Sequence, residues 1–395
     1  MIRMHYLSRL MPLALALVML LSCCPVFRGA AEEGTRLAAL NCGKADCLLL
    51  LTGGQAYLVD AGLEQTFPHL LAMLEEYGVT SLDGVFLTHC HKDHYGGLLL
   101  LAKSGIPVKC WYAPAIYDEL PDGGHPAELA AAARGAQVTW LQAGDTVPTA
   151  NGAFTVLGPV VTDTENENNN SLVMRFACDD GSILFAGDMK EEEEITLLER
   201  GLLTHCDILK CGHHGDGGAT KKALLNAVTP KAALISTCTA EEPDTPSPKT
   251  LERLVKMGCS VTVTQNVRDA AEMTLRAGTV TVRDVAFSAL PERTSGIDMR
   301  LDVQNDLVVL TSAAEVTIPD AVLYSTEGTQ LFSLGTITVT PSGLTIGSAK
   351  SPDSAALDIL LPGDKRLLSK KKLDVTVLYD AFGRGISRAD NGLEE

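Results

Sequence analysis

Ten consecutive residues carry most of the chemistry available to this chain. Thr88-His89-Cys90-His91-Lys92-Asp93-His94-Tyr95-Gly96-Gly97 places three imidazoles and a carboxylate close together, directly after the apolar run Leu82 to Thr88. At the end of a strand, alternate residues point to one side, so His89 and His91 can share one metal ion. Asp93 and His94 continue round the turn and can reach a second ion about 3.5–4 Å from the first. Imidazole with carboxylate suits zinc or manganese better than magnesium or calcium. A single histidine in a core is ordinarily structural, whereas three at this spacing with an aspartate form a metal cluster.

The elements that must position this cluster are short. Gln55 to Asp60 reads as a strand closing on Asp60-Ala61-Gly62, Thr66 to Tyr77 has helical apolar spacing, and Leu82 to Thr88 is a buried strand. Ala127 to Arg134, Lys190 to Arg200 and Thr250 to Met257 read as helices, with strands at Ser182 to Ala186 and Asp207 to Cys211. This alternation spans residues 31–285 and predicts an α/β domain. From 286 to 395 only strands are expected: Met299 to Val303, Leu307 to Thr311, Ala321 to Ser325, Gly335 to Thr340, Ala355 to Leu361 and Leu373 to Tyr379. Their short spacing predicts a small β-sandwich.

Residues 1–30 read as an export signal rather than as part of the fold. Arg3 and Arg9 precede the apolar stretch Leu10 to Leu21, which is short for a membrane span of about 20 residues. Leu20-Leu21-Ser22-Cys23 is similar to a bacterial lipobox, in which Cys23 would carry a lipid anchor. Ordinary cleavage near Gly29-Ala30-Ala31 and an uncleaved anchor are the alternatives, and all three place the rest of the chain outside the cytoplasm. The 11 cysteines show no disulfide framework, although Cys42 and Cys47 are close enough to bridge a loop.

The 395 residues include 32 Lys plus Arg against 49 Asp plus Glu, a net charge of −17. Such a surface excludes bulk coating of nucleic acid or anionic membrane. It does not exclude a local, metal-lined site for a phosphoester.

Further motifs, in order, give the cluster a family. The chain resembles the metallo-β-lactamase superfamily, whose signature is H-x-H-x-D-H, and within it the ComEC-type competence domain. Asn41-Cys42-Gly43-Lys44-Ala45-Asp46-Cys47 is similar to the D-V-G-Q-G-D-S opening, and Asp60 stands at the superfamily's first aspartate. Asn168-Asn169-Asn170-Ser171-Leu172-Val173 matches N-x-x-S-L-V, Leu184 to Asp188 matches a strand ending in G-D, and Asp207 to Gly215 matches D-x-L-K-x-x-H-H-G.

The resemblance implies an αββα metallo-β-lactamase sandwich, followed here by the small all-β C-terminal domain, and two Zn²⁺ sites with Mn²⁺ as an alternative. Asp188 would bridge the two ions, because a carboxylate offsets repulsion between dications. Asp93, His94, Asp188 and His213 would form one site; His89, His91, Asp188 and Asn168 the other. Asn168 stands where other members carry a histidine, and its rival reading is a turn residue in a polar loop. His214 would orient His213 or touch substrate oxygens, so the catalytic group is Asp93, His94, Asp188 and His214. Asp60 would hold one of the early imidazoles in its tautomer. His5, His69, His125 and His205 have no such cluster and read as non-catalytic.

Departures bear on the substrate. Asp216 follows the histidine pair where the family has serine, and Thr245 replaces a late histidine. Three readings follow: an exported hydrolase of small or locally presented phosphodiesters (nucleotide, DNA or envelope polymer), an amide hydrolase of the β-lactamase type, and a surface binding protein with a degenerate metal site. The acidity favours small substrates, since residues 31–285 carry −15. The basic cluster Lys365, Arg366 and Lys370-Lys371-Lys372 is the exception, read as a solvated strand start or as a contact for wall polymer or nucleic acid.

Overall fold

A computed structural model describes residues 34–117, 124–239, 241–325, 330–350, 356–361 and 375–390. The export signal with Cys23, and the basic cluster at 365–372, lie outside the described residues. The first sheet is laid down by β1 (Thr35–Leu40), β2 (Leu48–Thr52), β3 (Gln55–Val59), β4 (Gly84–Phe86), β5 (Trp111–Pro114) and β6 (Val138–Leu141). The second takes β7 (Thr146–Pro148), β8 (Gly152–Gly158), β9 (Val173–Cys178), β10 (Gly181–Phe185), β11 (Ile208–Lys210), β12 (Ala232–Ile235) and β13 (Ser260–Val263). The chain then returns to the first sheet with β14 (Ala270–Arg276) and β15 (Thr279–Val285), giving the order β15-β14-β1-β2-β3-β4-β5-β6. The second sheet runs β13-β12-β11-β10-β9-β8-β7.

Among the described residues, seven α-helices complete this body: α1 (Phe67–Glu76), α2 (Lys92–Tyr95), α3 (Leu98–Lys103), α4 (Pro126–Ala132), α5 (Glu191–Glu199), α6 (Lys222–Val228) and α7 (Pro248–Lys256). The layering follows from the two-residue period of the strands. Leu37 and Ala39 face the core between the sheets, where Phe154, Phe176 and Phe185 also pack, while Ala38 and Leu40 face the helices α1, α3 and α4. In β10, Ile183 and Phe185 point to the inter-sheet core, and Leu184 points to the layer of α5 and α6. Both faces of these strands are therefore dry, which is why they read as unbroken apolar runs. The result is the αββα sandwich expected.

The elements described in the C-terminal part are strands: β16 (Ile297–Asp302), β17 (Leu307–Ser312), β18 (Val316–Ser325), β19 (Gln330–Val339), β20 (Leu344–Ser348), β21 (Ile359–Leu361), β22 (Val375–Tyr379) and β23 (Gly385–Asp390). They form two four-stranded sheets, β16-β17-β20-β21 and β19-β18-β22-β23. Val308, Leu310 and Ile346 of one meet Ile318, Leu323 and Ile337 of the other in a shared core. No helix among the described residues is long and apolar enough to cross a membrane.

A buried ionic hub joins the two parts. Arg384 donates through Nε to Asp380 at 2.7 Å and through Nη1 to the Pro291 carbonyl at 3.0 Å, and stands 3.4 Å from Asp269. His69 and Phe287 N–H meet the same Asp269 from the sandwich side. Removing one member of such a group leaves buried charges unpaired. Arg384→Ala is therefore expected to lower stability by about 3–5 kcal/mol in urea unfolding.

The acidic run at the start of α5 contains a second buried charge. Glu193 is 3% exposed and accepts from Val160 N–H at 3.0 Å. Burial pushes its carboxyl from 4.5 up to about 7. A folded-state value above the unfolded one means that its contribution is full below about 4.5 and lost as pH rises through about 7. Thermal melts between pH 5 and 8 should thus fall more steeply for the native chain than for Glu193→Gln, which keeps an acceptor and cannot ionise.

Candidate metal centre

The candidate centre sits where parallel strands end. β3 pairs parallel with β4, and β10, β11 and β12 run parallel in the facing sheet. Their C-terminal ends deliver, in turn, Asp60, the 88–94 loop, Asp188, the 211–215 turn and Ser236, and ligand sites of α/β sheets lie at such ends. Backbone bonds tie the loops together: Ala61 N–H donates to His94 at 2.8 Å and Asp46 N–H to Asp93 at 3.1 Å.

One carboxylate oxygen occupies the middle. Asp188 Oδ2 lies 3.3 Å from His94 Nε2, 3.3 Å from His214 Nε2 and 3.7 Å from His89 Nε2. The loop can make this approach because residue 187 is glycine: its φ is +51°, and an added Cβ would stand 2.8 Å from Ser171 Cβ. Ser171 Oγ in turn accepts from Asp188 N–H at 3.0 Å.

Two donor groups share this oxygen. Asp93, His94, Asp188 and His214 offer atoms within 4.8 Å of one another, and His89, His91 and Asp188 form a second such group. In the second, His89 Nε2 faces His91 Nδ1 at 2.9 Å. The outer nitrogens are held from behind. His94 donates through Nδ1 to Asp60 at 2.8 Å, and Asp60 also accepts from Thr88 N–H and Oγ1. His214 donates through Nδ1 to the Ser236 carbonyl at 2.8 Å. Asp60 thus performs the tautomer-fixing task read from the sequence, and acts on His94.

The structure differs from the sequence reading at the histidine pair. His214, not His213, joins Asp93, His94 and Asp188; His213 Nε2 stands 4.0 Å from Asp188 and its other nitrogen 3.7 Å from Asp216. The cause is the backbone: φ is +41° at His213 and +53° at His214, so two successive left-handed residues turn the first ring to the rim and the second inward. His214 is fully buried, while the His213 side chain is 19% exposed.

Asn168 lies in a short turn, 167–170, with Oδ1 buried and without a hydrogen-bond partner. The group that reaches His91 is its neighbour Glu167, with Oε2 3.1 Å from His91 Nε2, a residue the sequence reading passed over. Lys44 was also passed over as a site residue: its ammonium lies 3.8 Å from Asp93 and 3.9 Å from Glu242. Its signal was there, a lysine where the family motif has glutamine. Behind the site, fully buried Lys210 pairs with Asp46 at 2.7 Å. Of the histidines read as non-catalytic, His69 joins the Asp269 hub, His125 caps α4, His205 meets Thr229 and His5 lies outside the described residues. Thr245 is buried against Thr237 at 2.6 Å and does not face the rim. Cys42 and Cys47 are buried free thiols rather than a bridge.

The donor chemistry fits divalent ions. His94 Nε2, His214 Nε2 and Asp188 Oδ1 are buried and lack hydrogen-bond partners, which is costly for groups with nothing to bind. Burial pushes the Asp188 carboxyl up, yet the adjoining His214 and His94 outweigh it and hold the group well below the usual carboxylate range. Burial pulls His214 down, but Asp188 and Asp93 raise it to about 9. Ions would replace those protons as the positive partners.

The chain belongs to the metallo-β-lactamase superfamily, whose model matches residues 40–239. Within it the ComEC-type resemblance holds. ComE operon protein 3 of Bacillus subtilis (strain 168) is 30% identical over 196 residues, 48% of this chain and 25% of that protein. Competence protein ComA of Neisseria gonorrhoeae is 26% identical over 207 residues, 52% of this chain and 27% of that protein. The chain therefore spans about a quarter of these relatives' length. Among solved structures, CmlA, a diiron beta-hydroxylase from Streptomyces venezuelae, matches with a TM-score of 0.42 and 14% identity, over 62% of this chain and 54% of that one.

Zinc titration with a competing chelator separates the two histidine assignments. The four-donor site of Asp93, His94, Asp188 and His214 should fill first, as the tighter of two steps; His214→Ala should abolish that step and His213→Ala should spare it, while Asp188→Ala should remove both. Asp60→Asn, which loses the acceptor behind His94, should weaken the tighter step about 10–100-fold.

Proposed function

We propose that this chain is an exported, metal-dependent phosphodiesterase acting on small or locally presented phosphodiesters. Asp93, His94, Asp188 and His214 would hold one ion; His89, His91 and Asp188 the other, with Asn168 and Glu167 beside it. Zinc or manganese suits these imidazole and carboxylate donors. When bound, such a pair polarises a phosphoryl oxygen and draws the pKa of a water towards neutrality.

The chain's own groups do the rest. Asp60 and the Ser236 carbonyl fix the two inner imidazoles, so that ring nitrogens and not N–H groups face the centre. The Asp188 carboxylate tempers positive charge at the middle. Lys44 brings an ammonium to the mouth, where it would meet a phosphate oxygen. The observation that carries the reading is this combination of unpartnered buried donors with a cation 3.8 Å from Asp93. An amide hydrolase is less well served, because no histidine lies between His125 and His205 to complete the site around His89 and His91. Export rests on the signal-like residues 1–30.

The test is a panel of bis(p-nitrophenyl) phosphate, a cyclic dinucleotide, single-stranded DNA, plasmid DNA and nitrocefin, with Zn²⁺ or Mn²⁺ added. Small phosphodiesters should be hydrolysed faster than plasmid at equal phosphate concentration, and a chelator should abolish turnover. Faster degradation of duplex DNA that persists at about 0.2 M salt, where long-range charge is screened, would restore a nuclease reading. No turnover of any phosphodiester would leave the binding protein.

A further inference from the structure

A cavity adjoins the candidate centre from the side of the β-domain. It encloses about 270 Å³, and its walls come from both parts of the chain: Lys44, Lys92 and Asp93 from the sandwich, Tyr324, Val377 and Tyr379 from β18 and β22. Resting on the phosphodiesterase reading above, we infer that this cavity is a subsite for the nucleoside arm of the substrate, with the β-domain supplying the wall that recognises the base.

The cavity starts at the chemistry. Asp93 belongs both to its lining and to the candidate metal donors. An arm of a phosphodiester that leaves the candidate donors past Asp93 enters this cavity. Lys44 is placed to meet its charge: its distances of 3.8 and 3.9 Å to Asp93 and Glu242 exceed hydrogen-bond range, so neither carboxylate takes up its N–H donors.

The far wall is aromatic. Tyr324, half-buried, stands edge-to-face on Tyr379 with ring centroids 6.5 Å apart. Tyr379 is almost fully buried, and both tyrosines line the cavity. Aromatic walls hold nucleobases by stacking. Glu242 on the rim adds a carboxylate acceptor for the amino group of a base, a feature with no use for an acyl chain. The volume is just under the range of about 300–1,000 Å³ typical of small-molecule sites, which suits one nucleoside and not a polymer.

The wall is fixed, not loosely apposed. Tyr379 Oη donates to Glu241 Oε1 at 3.3 Å, and Glu241 Oε2 accepts from Lys44 N–H at 2.8 Å. A side chain at Gly43 would run into the Glu241 carboxylate, so the loop closes on this brace only with glycine there. The Arg384 hub holds the same two parts together elsewhere.

The full-length protein, loaded with zinc, tests this by calorimetry with AMP and with inorganic phosphate as probes. AMP should bind more tightly than phosphate. Tyr324→Ala should weaken AMP about tenfold, the lower part of what one stacked base contributes, and leave phosphate binding and zinc stoichiometry unchanged. Tyr324→Phe should restore AMP binding. With a dinucleotide substrate the same loss should raise KM and spare kcat. If Tyr324→Ala fails to fold, Tyr324→Leu, which keeps bulk without a π face, carries the same expectation. AMP binding no tighter than phosphate, or unchanged in the variant that folds, overturns the inference. Turnover of any phosphodiester of the panel in that event leaves the phosphodiesterase reading standing, whereas turnover of none would remove both.

Discussion

Gathering several imidazoles around one carboxylate in a dry interior is the constraint that organises this molecule. Asp188 Oδ2 must come within 3.3–3.7 Å of three ring nitrogens that arrive on two separate loops. None of these groups can be buried alone without a charged or hydrogen-bonded partner. The two sheets satisfy the constraint by ending their parallel strands at the same edge, so the histidine loops leave from opposite layers and meet. Asp60, Ser171 and Ser236 then spend their polar capacity on orientation, and Lys210 with Asp46 neutralises the space behind.

Much of this was legible because spacing and strand ends constrain direction. His89, His91, Asp93 and His94 come together as their spacing requires, and the apolar runs became the doubly buried strands expected of them. Other features depend on backbone conformations that periodicity does not encode. Nothing in Gly212-His213-His214-Gly215 announces two left-handed residues, so which imidazole turns inward could not be read. Glu167 meets His91 only because a helical turn at 167–170 lifts it across the gap between the sheets.

The β-rich part shows the same division. Ala321 to Ser325 is legible as a strand, but β18 begins at Val316 and passes through Pro319-Asp320 by an irregular register, with φ of +44° at Asp320. A proline followed by aspartate looks like a break, whereas here it is a bulge within one continuous strand. The contacts of Arg384 and Tyr379 with the sandwich are longer-range still. They join residues 93 to 138 positions apart and leave no local signal.

The return of the chain to the first sheet has a temporal side. β1 lies between β2 and β14, and its pairing with β14 runs from Thr35 with Leu275 to Leu40 with Ala270. As the chain emerges from the ribosome, every candidate metal donor has been made before this seam can close. Until then β1 offers an unpaired apolar edge, the feature that invites association with other chains. Non-local pairing of this kind is also slow to form. The pairing of β14 with β1 therefore waits until both halves of the sandwich have been made, and it closes this edge against other chains.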